Sequence, residues 1–448
     1  PKYGAIRLGT NKPEFSTFSW AAMIFASGIG TGVLYWGVIE WALHYESPPF
    51  GVTPFSPLAA EYAAAYGIFH WGFTGWAFFA VTTLPVAYAY YIRKQPIYRI
   101  SEACRGVLGN LVDGLVRRVI DVAFIIGLLG AGGTSLGLGT PLIAAAASEV
   151  LGIPQGFALN LAVILLTTLI FSVSVYTGIS KGIKWLSDIS IFAAIILLGF
   201  VLIVGPTQFI MNMSVSSLSL MLQEFVRMSL WTSPLEPEGS IPLVWTVFYW
   251  GWWLVLAPFM GIFVARISAG RTIRQVVLGM VGYGSLGCAL FYMILGNYAL
   301  DLELTGVLKT TEMIKEVGTA QAVVEVIKTL PGGNFTIAIY GLITLVFLAT
   351  LFDSGSYSLA SVTLVNFKEG EEPSRAHRLF WACAIAILPI TLLFIGGLKA
   401  LQTASLVGAF PLIFILFIMA ISFSRDVMQD DPDRAYIYEN KRLAREKR

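Results

Sequence analysis

Charge is absent from several long stretches of this chain. None occurs from Phe15 to Ile39, from Ile189 to Gln223, from Val276 to Leu300 or from Phe335 to Phe352. Each run is near or above the ~20 residues that cross a bilayer core as a helix. The pattern predicts ten spans, at 15–43, 68–92, 119–147, 156–176, 187–205, 243–267, 275–297, 335–364, 379–396 and 404–424. Two further stretches, 208–230 and 309–329, are amphipathic. The second, "KTTEMIKEVGTAQAVVEVIKTL", sets apolar residues at helical spacing against charges, as in a helix lying on a membrane surface. The fold class expected is all-α, a polytopic membrane protein forming one transmembrane domain over 1–448.

Composition sharpens this reading. Hydrophobic residues make up 56% of the chain and charged residues 12%, about half the ~25% charged share of soluble domains. A net charge of +2 says nothing about nucleic acid, and no nucleic-acid partner is expected. With both termini on one side, 24 of the 29 Lys and Arg fall on that side and five on the other. The positive-inside rule then places both termini in the cytoplasm, of a bacterial inner membrane. The chain opens on Pro1 with no signal-peptide pattern, so the natural protein is expected to start earlier.

Ten spans divide into two sets of five, repeat one at 15–205 and repeat two at 243–424, with a charged tail at 425–448. Five is odd, so the second set is inverted relative to the first. Transporters on this plan hold substrate at mid-membrane beside a broken helix in each half. The first span carries "SGIGTG", with Gly28, Gly30 and Gly32 at alternate positions. Each Gly weakens a helix by about 1 kcal/mol relative to Ala, so an unwound segment exposing carbonyls is expected; close helix packing through small residues is the alternative. The sixth span carries "WTVFYWGWW", with four of the 12 tryptophans in nine residues, and the second carries "HWGFTGWAFF". Facing walls from Trp71, Trp76, Phe79 and Trp252 would bind a quaternary ammonium through ring quadrupoles. An interfacial aromatic belt accounts for Trp245 but less well for the deeper rings.

Other chemistry is sparse. Cys104, Cys288 and Cys383 show no metal or redox spacing. Among the three histidines only His70 is well placed in a span, and no acid or nucleophile matches it at helical spacing. A membrane enzyme would need such a pairing, so no catalytic residue is assigned. A channel would want a repeated pore-lining ring. Glu40, Asp121, Asp188 and Asp353 lie in or near spans and are functional candidates by default. Asp121 and Asp188 are expected at cytoplasmic ends, with an arginine such as Arg118 nearby. Asp353 could face an ion path or support packing. Arg266, Arg271 and Arg274 set topology, and Arg266 could also gate the inner mouth.

"WTVFYWGWW" followed by "IFVARISAGRTIR" closely resembles the signature of the betaine/carnitine/choline transporter family. "PEFSTFSW", "FHWG", "GTSLGLGTP" and "GGLKALQTA" are similar to its carnitine/γ-butyrobetaine exchanger branch. The resemblance covers essentially the whole chain. It implies a leucine-transporter-like core with a 5+5 inverted repeat, usually trimeric, and two additional spans preceding the core in typical members. It implies a central box of Trp71, Trp76 and Trp252 with Trp253 beside it, completed by Gly30 and Gly32. Phe79 stands where Tyr is common, and Leu43 where the exchanger has a tyrosine wall. Trp245 resembles an outer, transient substrate site. Sodium-coupled relatives share glycines like Gly28, Gly30 and Gly32, and the exchanger's arginine is replaced here by Ser190. The resemblance thus implies a sodium ion held by the carbonyls of Ala26, Ile29 and Phe347 and the Thr350 hydroxyl. Leu351 stands in place of a second hydroxyl, and Met260 matches the exchanger. Sodium symport of a betaine-type zwitterion (glycine betaine, carnitine or dimethylsulfoniopropionate) is therefore expected. Sodium-independent exchange and proton coupling remain alternatives. Gly32 fits a zwitterion, since choline-type members tend to carry aspartate there. No cofactor beyond the ion is expected, and the partners are the substrate, lipid and further copies of the chain.

Overall fold

The structure is a computed structural model that describes residues 2–9, 12–234, 240–364 and 372–431, with the side chains of 388–389, 392–401 and 404 outside the description. The segment 432–448, most of the charged tail, also lies outside the described residues. The main helices are α1 (Thr17–Glu46), α2 (Pro57–His70), α3 (Phe73–Tyr91), α4 (Leu115–Leu151), α5 (Phe157–Thr177), α6 (Ile179–Val204), α7 (Thr207–Leu230) and α8 (Ile241–Ile267). They continue with α9 (Ile273–Thr305), α10 (Thr310–Val317), α11 (Thr319–Lys328), α12 (Asn334–Val362) and α13 (Arg375–Gln429). Among the described residues there is no strand, only an isolated bridge between Arg7 and Thr272. Nine helices there are long and apolar enough to cross a membrane.

Local chemistry starts several of these helices. Ser16, Ser56 and Ser240 each accept a hydrogen bond from the backbone N–H three residues on, and Pro57 and Pro242 sit in the first turns they begin. A capping hydroxyl satisfies an orphan N–H, and proline there forfeits none that the helix needs. Apolar residues all round α1 predict full burial. Its whole hydrophobic window is indeed enclosed. It runs antiparallel to α12. The Ser27 and Ser354 hydroxyls meet at 2.6 Å, Gly30 faces Phe347, and Tyr340 donates to the Leu34 carbonyl. By contrast α5 and α6 show Leu165, Leu169, Ile195 and Ile196 on an outer apolar face.

Two expectations need correction and two others are refined. First, "SGIGTG" is not unwound, because α1 is continuous from Thr17 to Glu46. Second, α8 runs unbroken through "WTVFYWGWW". The breaks fall one helix later in each half. The span expected at 68–92 begins at Pro57 and is interrupted at Trp71–Gly72 between α2 and α3. Its counterpart α9 contains π-helical turns at 279–283 and 292–296, local bulges that often mark functional sites. Third, the spans at 379–396 and 404–424 belong to one 55-residue helical element, α13. Ile385 lies beside Gly132, and Ser405 bonds to Gly130 and Thr134. Twenty residues of straight helix extend about 30 Å, so α13 is no straight rod between these two contacts. Fourth, 208–230 is a single helix, α7, whose length and composition suffice to cross a membrane. The stretch 309–329 is two short helices, α10 and α11, parted at Gly318 with φ +83°.

Candidate functional site: an aromatic box beside a buried carboxylate

The rings singled out from the sequence meet at the centre of the bundle. Trp71 sits in the break after α2, with its ring centroid 5.3 Å from Trp252 and 5.9 Å from Trp253 of α8. Trp76 lies 5.7 Å from Trp253, and Phe79 lies 4.7 Å from it. Trp76 and Phe79 share a face of α3 and meet edge to face at 5.6 Å. Trp71 reaches the group differently from the helical spacing expected, since the chain leaves the helix at that residue. All five rings are buried.

Close approach explains the glycines. A Cβ on Gly32 would stand 2.4 Å from the Trp71 ring, and one on Gly30 would stand 1.9 Å from Phe347. One on Gly28 would meet Phe79 at 3.1 Å and the Met260 methyl at 3.2 Å. The alternating glycines therefore form a row of ring seats along an intact helix. Gly75 seats Trp253 and Gly284 seats Trp76 in the same way.

The indole N–H groups divide sharply. Trp71 donates to Glu40 at 3.1 Å, Trp253 to the His70 carbonyl at 3.0 Å and Trp76 to the Cys288 sulfur at 3.5 Å. Trp252 Nε1 is buried and has no partner. A buried donor left unsatisfied costs about 1–3 kcal/mol, so this one calls for an acceptor that arrives with a ligand. An outer group of rings adjoins the box. Trp245 meets Trp36 at 4.8 Å and Tyr249 at 5.7 Å, and Tyr249 in turn meets Trp71 at 5.5 Å.

Glu40 is the polar hub that sequence reasoning left as one candidate among four. Its Oε2 accepts from Trp71, from Tyr249 at 2.8 Å and from Tyr292 at 2.6 Å. Its Oε1 lies 2.8 Å from His70 Nδ1. The acid matching His70 thus comes from a different helix, which is why spacing within one helix did not reveal it. Glu40→Ala would strip three buried donors of their acceptor, at about 1–3 kcal/mol each. We expect a loss of at least about 3 kcal/mol, read as a lower thermal unfolding midpoint in detergent; an unchanged midpoint would contradict the hub.

The candidate ion ligands lie in the antiparallel seam of α1 and α12. Ala26 and Ile29 flank Ser27 and Gly30, whose contacts with Ser354 and Phe347 bracket Thr350. The Thr350 hydroxyl donates to the Val346 carbonyl at 2.8 Å. Because α1 is intact, the Ala26 and Ile29 carbonyls serve the helix ladder with one lone pair each and keep a second free. All-oxygen donors of this kind suit a hard cation. The Ser27–Ser354 pair was not anticipated.

Two of the other three candidate carboxylates form ion pairs. Asp121 pairs with Arg99 at 3.4 Å, rather than Arg118, and accepts from Ser101 at 2.9 Å. Asp188 takes Lys184 at 2.7 Å and Ser19 at 3.0 Å. Asp353 accepts from Ser174 of α5 at Oδ2, while its Oδ1 is buried without a partner. Arg266, nearly buried, holds Glu14 at 3.0 Å, a tie between the N-terminal segment and the end of α8.

Comparison with known proteins places these features in context. A profile described as betaine/carnitine/choline family transporter matches residues 1–432. The chain is 36% identical over 433 residues to an uncharacterized transporter of Escherichia coli (strain K12), YeaV, covering 96% of this chain and 90% of that protein. It is 35% identical over 430 residues to a carnitine transporter of Acinetobacter baumannii, covering 96% of this chain and 78% of that one. Among solved structures it is similar to the substrate-bound outward-open state of a Na+-coupled sialic acid symporter. That match has a TM-score of 0.53 and 14% identity, covering 94% of this chain and 90% of the other. At that identity the likeness is one of fold.

Proposed function

The chain belongs to the betaine/carnitine/choline transporter family, whose members are transporters and not enzymes, and from this we propose that it imports a small betaine-type zwitterion together with sodium. The observation that carries the reading is the unpartnered Trp252 N–H inside the ring box. A quaternary ammonium packs against the faces of Trp71, Trp252 and Trp253, an attraction worth about 2 kcal/mol when desolvated. The carboxylate at the other end of the same molecule accepts from Trp252 Nε1. Glycine betaine and carnitine both meet this description, and dimethylsulfoniopropionate does so with a sulfonium. The carnitine transporter among the relatives favours carnitine as the first ligand to test. Trp245 with Trp36 forms an outer ring pair that a substrate meets on the way in.

Sodium sits, in this reading, between α1 and α12 on the Ala26, Ile29 and Phe347 carbonyls and the Thr350 hydroxyl. Thr350→Ala removes one of these oxygens. The expected result is a several-fold rise in the sodium concentration for half-maximal uptake, measured in proteoliposomes. An identical sodium curve would place the ion elsewhere.

One observation favours the second reading, substrate exchange without sodium. The Met260 thioether lies beside Gly28 against the box, a position shared with the exchanger branch. Exchange predicts uptake that ignores sodium and requires a related solute preloaded inside. The charge asymmetry supports a bacterial inner membrane with both termini cytoplasmic, and the family resemblance supports a homotrimer.

A further inference from the structure

Behind Trp71, on the side away from the box, lies a cluster that substrate binding does not use. Glu40 and His44 of α1 and His70 at the end of α2 each offer a ligand atom, all within 4.8 Å of one another. All three side chains are fully buried. His44 has no hydrogen bond at either ring nitrogen; its Nε2 faces Glu40 Oε1 at 3.8 Å, and its ring stacks on Tyr66.

His70 is bonded at both ring nitrogens, to Glu40 Oε1 and to Thr246 Oγ1, and one of its two tautomers presents a metal-ligating lone pair to Glu40. Thr246 Oγ1 gives its one proton to the Pro242 carbonyl at 2.7 Å, the shorter of its two contacts. Toward His70 Nε2, at 2.9 Å, it therefore accepts. With Nε2 carrying the proton, the neutral ring turns its lone pair at Nδ1 toward Glu40 Oε1, 2.8 Å away. Glu40 is held as a carboxylate by three donors on its other oxygen. In this tautomer two electron-rich atoms face each other, an arrangement that a cation between them completes. An N–H fixed by a neighbouring oxygen is also the arrangement that orients a metal-ligating histidine.

We propose that Glu40 Oε1, His44 Nε2 and His70 Nδ1 bind one first-row divalent metal ion, with zinc the ion that two imidazoles and a carboxylate suit best. Zinc bonds of about 2.0–2.1 Å at the tetrahedral angle put neighbouring ligand atoms about 3.3 Å apart. The 2.8 Å and 3.8 Å separations at Glu40 Oε1 bracket that value, and the two histidine nitrogens lie within 4.8 Å of each other. The fourth position is left to a water or other small ligand. Bound metal ties α1 to the break between α2 and α3, directly behind the Trp71 wall.

The test is equilibrium dialysis of zinc chloride against the chelator-stripped full-length chain in detergent, followed by X-ray absorption at the zinc edge. One zinc per chain is expected, with a nitrogen and oxygen shell free of sulfur. His44→Gln is expected to weaken binding at least tenfold, and His44→Cys to retain the ion and add a zinc–sulfur distance. Absence of binding by the unaltered chain overturns the proposal. So does equal affinity in a folded His44→Gln chain, or zinc on His44→Cys without sulfur. Either would assign the ion to surface groups such as His377. None of these readouts depends on transport.

Discussion

Trp252→Ala is expected to abolish uptake while the protein still inserts and folds. The substitution removes a ring face from the box, worth about 2 kcal/mol to a desolvated cation, and the N–H offered to the carboxylate, worth about 1.5–3 kcal/mol. Together these approach 4 kcal/mol, or roughly a thousandfold in affinity. Trp252→Phe separates the two parts. It keeps a ring and loses only the donor, so affinity should fall by roughly ten- to a hundredfold, for a loss of about 1.5–3 kcal/mol. Labelled-substrate binding to the purified variants, with a thermal unfolding midpoint as the folding control, reads both. Wild-type affinity in Trp252→Ala would remove the box from the account.

Gly30→Ala carries the second large effect, and its sign discriminates between two accounts of the glycines. Were Gly30 there only to weaken the helix, alanine would stabilise α1 by about 1 kcal/mol. The structure instead places the new methyl 1.9 Å from Phe347 Cδ1, and both helices are held in register by Ser27–Ser354 and Tyr340–Leu34. Overpacking of this kind costs about 1–3 kcal/mol and pushes Phe347 out of the seam that the ion reading requires. A lower unfolding midpoint and uptake near background are expected. Phe347→Ala should lower the midpoint less on the Gly30→Ala background than in the unaltered chain, the coupling that a shared contact produces. A raised midpoint in Gly30→Ala alone would contradict the ring seat.

Much of the site was legible from the chain because rings and glycines are rare enough to stand out. Trp71, Trp76, Phe79, Trp252 and Trp253 come together; the ring seats of Gly28 against Met260 and Gly30 against Phe347 were not anticipated. The meaning of the glycines was misread. Propensity reports what a residue does to an isolated helix, whereas here each missing Cβ makes room for a ring from another helix. Likewise the breaks were expected where glycine and tryptophan crowd. They fall instead at Trp71–Gly72, inside the "HWGFTGWAFF" motif whose rings drew attention rather than its backbone, and in the π turns of α9. The Glu40 hub was hidden for a related reason. Its partners Trp71, Tyr249, Tyr292 and His70 come from three segments, as far as 252 positions from Glu40 itself, and periodicity within a helix carries no information across that distance.

Uptake into proteoliposomes tests the central claim most directly. Labelled carnitine and glycine betaine would be supplied outside, with an inward sodium gradient in one set and potassium on both sides in the other. The account predicts that at least one of the two accumulates above its outside concentration with sodium and fails to do so with potassium. Equal accumulation in both sets, or uptake seen only when a related solute is preloaded, would contradict sodium coupling at the α1–α12 seam.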